Sequence, residues 1–121
     1  MNIRRGKLVR IPARGEKLFA VTLLFRSHVG STESLRPLCE ERVVVFSAAT
    51  PAEASVAARR YGRGEEHSYK NSSGELVQWT FVRVLGAQDI GPRPPIGGWE
   101  VASRFVRRRL ATLRPQGPRV T

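Results

Sequence analysis

Cysteine is almost missing from this chain. Cys39 stands alone in 121 residues, so no disulfide can close within it. Long apolar stretches are missing too. The longest near the start, residues 18–25, is broken by Thr22 and falls well short of the ~20 residues that cross a bilayer. No membrane association is expected. A secretory leader also fits poorly, because a long basic segment containing Pro12 precedes that run and no small-x-small cleavage site follows Phe25. The expected location is the cytoplasm. Lysine is scarce, with three against 18 arginines. The abundance of Arg, Ala, Gly, Pro and Val is also what a GC-rich coding sequence produces whatever the function. There is no internal repeat, nucleophile motif or glycine-rich phosphate loop.

What is present is enough for one domain. Apolar residues make up 40% of the chain, which excludes wholesale disorder. The formal charge of +11 invites a nucleic-acid reading, but it is unevenly placed. Residues 1–17 hold six cations and one acid; residues 103–121 hold six cations and no acid; residues 18–102 hold nine of each. Two basic ends flank a neutral middle. The expected organisation is a basic N-terminal arm over 1–16, one folded domain over 17–107 and a basic C-terminal tail over 108–121.

Phe19, Val21, Leu23 and Phe25 alternate with Ala20, Thr22, Leu24 and Arg26. Period two predicts a strand over 17–28. The run Val43 to Phe46 predicts a second strand over 40–48, covered on both faces. Thr50-Pro51-Ala52-Glu53 is a capping box with proline at the first helical position. Ala54, Ala57, Ala58 and Tyr61 then recur at helical spacing, with Gly62 as a stop. A helix is predicted over 51–61. Residues 65–71 and 76–85 predict a hairpin about Ser72-Ser73-Gly74. In its second strand Val77, Trp79 and Phe81 share one face, and Gln78, Thr80, Val82 and Val84 the other. Residues 86–98 predict a loop, whose Pro-Arg-Pro-Pro at 92–95 makes it stiff. Residues 101–113 fit a strand and an amphipathic helix about equally. The order β-β-α-β-β-β predicts an α+β fold: one mixed or antiparallel sheet with a single helix on one face.

Several of these residues fall in a familiar pattern. Glu40-Glu41-Arg42-Val43-Val44-Val45 leads the second strand, and the alanine-rich helix ends in Tyr61-Gly62. Glu65-Glu66-His67-Ser68-Tyr69-Lys70-Asn71 follows, then Gly74-Glu75 in the turn and Trp79-Thr80-Phe81 beyond it. Trp99-Glu100-Val101-Ala102-Ser103-Arg104-Phe105 closes the block. Over about residues 17–107 the chain resembles a small bacterial family described as a domain of unknown function, DUF4288. The resemblance implies a stand-alone bacterial domain and a closing strand over 100–106. It brings no catalytic residue with it.

Glu65, Glu66, His67, Ser68 and Tyr69 are the densest group of functional side chains. On a strand Glu65, His67 and Tyr69 point one way and Glu66, Ser68 and Lys70 the other. Glu40 and Glu41 are placed to join them across the sheet. The expected site is therefore Glu40, Glu41, Glu65, Glu66, His67 and Tyr69, binding an unknown protein or small ligand. A carboxylate beside an imidazole also suits acid–base work, so a small enzyme using Glu65 and His67 is a weaker reading. No catalytic residue is assigned and no cofactor is expected. Cys39 and His28 lie near the glutamates but share no recognised ligand spacing, so no metal is expected. Trp79 and Phe81 favour core packing over base stacking. The alternative reading is nucleic-acid binding through the arginine-rich ends, at Arg4, Arg5, Arg104, Arg107, Arg108 and Arg109. The function expected from sequence is a non-enzymatic interaction module.

Overall fold

The computed structural model describes residues 15–91 and 99–117, with residues 99–102 described by backbone alone. The alternating segment forms β1, Lys17–Val29. The valine-rich run forms β2, Leu38–Ala48, antiparallel to it, with Phe19 opposite Phe46 and Val21 opposite Val44. The hairpin gives β3, His67–Lys70, and β4, Leu76–Gly91; the closing strand β5 spans Trp99–Arg107. All pairings are antiparallel and the sheet order is β3-β4-β1-β2-β5. The two most apolar strands thus lie at or next to the centre, where both faces are covered.

The helix α1 spans Pro51–Gly64. Thr50 Oγ1 accepts from the Glu53 amide at 3.1 Å, and the Glu53 carboxylate reaches back to the amide of Ala49, one residue before the cap. Ala54, Ala58 and Gly62 are its buried residues. This small-residue stripe lets the axis lie close to Phe19, Val21, Leu23, Phe25 and Phe81, each at most 1% exposed. The helix runs three residues past its expected end. Gly62 is there for close approach and not as a stop, since a Cβ would sit 2.5 Å from Phe81 Cδ1. The turn signal a glycine gives is ambiguous for this reason.

β4 is longer than expected and irregular. Its pairing with β1 shifts register three times, between Leu18 and Phe19, Thr22 and Leu23, and Leu24 and Phe25. Each extra residue reverses the alternation of faces. Val84 consequently lies opposite Leu23 and packs in the helix-side core, while Val82 turns to the other face. Strict alternation placed both together.

That other face carries a second, smaller core of Leu24, Cys39, Val82 and Leu113. Packing therefore continues beyond residue 107, where a basic tail was expected to begin. Residues 108–117 cross the sheet as a strap containing a short 3-10 turn, Leu110–Thr112. The Leu110 amide donates to Leu35 O at 2.8 Å, and Leu113 is 7% exposed. β3 is too short to cover the whole edge of β4. Side chains and the strap take over there: Glu66 Oε2 accepts from the Phe81 amide, Arg63 donates to Phe81 O, and Gln116 meets Val82 O and the Val84 amide. The edge is thereby paired instead of left open.

Candidate functional site

α1 covers only part of its sheet face. Beyond its last turn the same face continues with Trp79 on β4, Leu38 and Glu40 on β2, Phe105 on β5, and His67 and Tyr69 on β3. With Arg42 they line a cleft of about 390 Å³. The register explains the space: Trp79 stands opposite Ser27 on β1, and the small serine lets the indole lie towards the sheet centre. Its ring is 6.0 Å from that of Phe105, tilted by 60°. His67 and Tyr69, two apart on β3, stack 6.0 Å apart within 19° of parallel. Phe105 is 61% exposed and Tyr69 48%, so the rim is open.

The polar floor is an ion triad. The Arg42 side chain is 3% exposed; its Nε donates to Glu40 Oε1 at 2.9 Å and its Nη1 to Glu65 Oε1 at 2.8 Å. The guanidinium lies over the Phe25 ring, 4.2 Å from its centroid. Burying a guanidinium is tolerable only when its donors are satisfied this way. Glu65 reaches Arg42 because α1 ends there, the Glu65 amide closing on Tyr61 O and Gly62 O. It is the helix cap and not the first residue of β3, which corrects the strand position expected for it. The Glu65 carbonyl oxygen then lies 3.1 Å from Nδ1 of His67, fixing the imidazole at the cleft wall.

Of the six site residues expected from sequence, the structure brings together Glu40, Glu65, His67 and Tyr69. Glu41 and Glu66 are elsewhere. Glu41 points to the opposite face, where its carboxylate accepts from Arg104 at 3.0 Å and from Arg108 at 2.6 Å. Burial pushes its carboxyl up, but these two arginines outweigh that and hold it below its ordinary value. Glu66 is spent on the β4 edge, bonding the Phe81 amide and pairing with Arg63 at 3.5 Å. The β2 alternation separates Glu40 from Glu41, as it must for adjacent residues on a strand.

The arginines of the nucleic-acid alternative divide similarly. Arg104 and Arg108 pair with Glu41, and Arg107 Nη1 donates to Arg36 O at 3.1 Å. Arg109 is exposed beside Leu35 and Arg36. Arg4 and Arg5 lie outside the described residues, as do the rest of the expected arm up to residue 14 and the proline-rich part of the loop at 92–98.

A second hollow of about 360 Å³ adjoins the cleft across Leu38, Tyr69 and Trp79 and contains His28, Ser34, Asn71 and Arg107. His28 Nε2 is 3.0 Å from Thr80 Oγ1. Burial and the neighbouring Arg26 lower its pKa, against an opposing pull from Glu33. The Cys39 thiol is fully buried and burial raises its pKa, so it is not poised to react. Among the described residues no three His, Cys, Asp or Glu side chains gather at a point that would hold a metal, and no helix is long and apolar enough to cross a membrane.

Sequence reasoning missed Arg42, Leu38, Trp79 and Phe105 as cleft residues; Trp79, expected in the core, is 8% exposed and belongs to the helix-side core as well as bordering the cleft. The signal for Arg42 was available: a lone cation on the inward-facing period of an apolar strand needs acids nearby. Phe105 gave none, because its face depends on the pairing of β5.

A five-stranded antiparallel sheet half-roofed by one helix, with an aromatic recess over the unroofed half, defines a small single-sheet α+β domain. The chain belongs to the family described as Domain of unknown function (DUF4288), whose model matches residues 18–103. No curated protein and no solved structure matches it. The matched span contains every cleft residue named above except Phe105, and it ends before the strap.

Proposed function

We propose that the chain is a non-enzymatic binding module that takes its ligand, protein or small molecule, in the cleft beside α1. The single observation carrying this reading is the unroofed half of the sheet, where four rings and a satisfied ion triad surround open space. Binding sites are commonly concave, mostly apolar and provided with a few fixed polar groups. Glu40 and Glu65 both bind Arg42, an arrangement suited to holding a shape more than to passing protons. His67 is held by the Glu65 carbonyl and stacked on Tyr69, which supports the same reading. A bacterial cytoplasm is the proposed setting, supported by the family resemblance and the lone buried cysteine.

A fragment screen followed by amide NMR on the full chain tests the reading. Binders should perturb Leu38, His67, Tyr69 and Trp79 together, and Phe105→Ala should weaken them while leaving the melting temperature within about 2 °C, as for most exposed positions. Binders that map to another face, or that ignore Phe105→Ala, would contradict it.

A further inference from the structure

We propose that the cleft is a cage for a small organic monocation, an alkylated ammonium of the choline type; the inference rests on the cleft being the binding site. Four ring systems, from His67, Tyr69, Trp79 and Phe105, line one recess. Ring faces carry negative quadrupole potential, and a cation within about 6 Å of a ring centroid is attracted to it. The His67–Tyr69 stack and the Trp79–Phe105 pair each have centroids 6.0 Å apart, which sets two aromatic pairs along the one recess.

The charge of the floor selects the sign of the ligand. Glu40 lines the cleft with its side chain only 11% exposed. Glu40 and Glu65 both hold the guanidinium of Arg42. An anion reaching the floor would face the Glu40 carboxylate. A neutral apolar ligand would remove water from that carboxylate and return no compensating interaction. A cation is matched by the Glu40 carboxylate and by the rings.

Size and long-range charge choose among cations. The cleft volume of about 390 Å³ lies in the range of small-molecule sites. A lysine- or arginine-rich peptide carries many charges and is repelled by a chain of net charge +11. A single ammonium loses little, because exposed charges beyond ~8 Å are screened at physiological salt. Methyl groups on the nitrogen suit the apolar walls and weaken the hydration that the cation must shed.

The test compares choline with 3,3-dimethylbutan-1-ol, its neutral carbon isostere, by calorimetry and NMR titration of the full chain at physiological salt. Choline should saturate the His67, Tyr69 and Trp79 signals, and the isostere should bind about tenfold more weakly or not at all. Phe105→Ala should reduce choline affinity about fivefold, and Phe105→Leu, which keeps the bulk and removes the ring, should reduce it similarly. Equal binding of choline and the isostere, lost in Phe105→Ala, would overturn the cation inference while leaving the cleft as a binding site. Silence towards both ligands overturns the inference, and the fragment screen then judges the site separately. Binding of a trimethyllysine peptide without binding of choline overturns the assignment to a small free ligand.

Discussion

Glu41 Oε2 and Arg108 Nη2 are 2.6 Å apart across the sheet face that α1 does not touch. This contact, with the 3.0 Å pair from Arg104 to the same carboxylate, pins the start of the strap to β2. Because the Glu41 carboxyl is held below its ordinary value of 4.5, its contribution is fully present above that value. It is lost as pH falls from there through the depressed folded-state value. Acid titration should loosen residues 108–117 before the sheet melts, seen as amide exchange of Leu110 and Leu113 rising ahead of Val21 and Val44. In Glu41→Gln that early step should disappear and the strap should exchange faster already at neutral pH.

Ending the chain at residue 107 should destabilise the domain, although the family match stops near there and a basic tail was expected to begin there. Leu113 is buried against Leu24, Cys39 and Val82, and losing one such leucine is worth about 2–3 kcal/mol. Cys39 gives a direct readout. It is the sole thiol and is fully buried, so a thiol reagent should label the shortened chain many times faster than the full one. Unchanged labelling would show that the strap does not cover it.

Gly62→Ala should be destabilising although it replaces glycine within a helix. Propensity alone favours alanine by about 0.5–1 kcal/mol. The added methyl would stand 2.5 Å from Phe81 Cδ1, and overpacking of this kind costs about 1–3 kcal/mol. A net loss in urea denaturation is expected, and Gly64→Ala, which meets nothing within 4 Å, should show no such loss.

Arg42→Ala should be among the most damaging single changes. It leaves Glu40 and Glu65 without the guanidinium they share, and breaking a buried pair from one side costs about 3–5 kcal/mol. The triple replacement Glu40→Gln, Arg42→Met, Glu65→Gln should recover most of that loss, because no uncompensated charge remains. Chemical denaturation of the two variants at neutral pH measures the difference.

Local chemistry made the elements legible in sequence. β1 follows from Phe19 to Phe25, α1 from Thr50-Pro51-Ala52-Glu53, and the hairpin from its serine-glycine turn. Half of the site was legible for the same reason: Glu65, His67 and Tyr69 are close in the chain, and Glu40 sits on a predictable face. What escaped depends on register. Glu41 and Glu40 part company through strand alternation, Val84 changes face through bulges in β4, and Phe105 reaches Trp79 across both β1 and β2, where Ser27 leaves room. Leu110 and Leu113 read equally well as part of the apolar stripe of an amphipathic helix until a second sheet face exists to receive them.

The strap also bears on how the protein is made. The ribosome delivers β1, β2, α1 and the β3–β4 hairpin first, and these can pair and roof one face at once. Leu24, Cys39 and Val82 have no cover until residues 110–113 have been synthesised. For that interval the nascent sheet is sticky on its lower side, and Cys39 is open to oxidants that never reach it in the finished molecule.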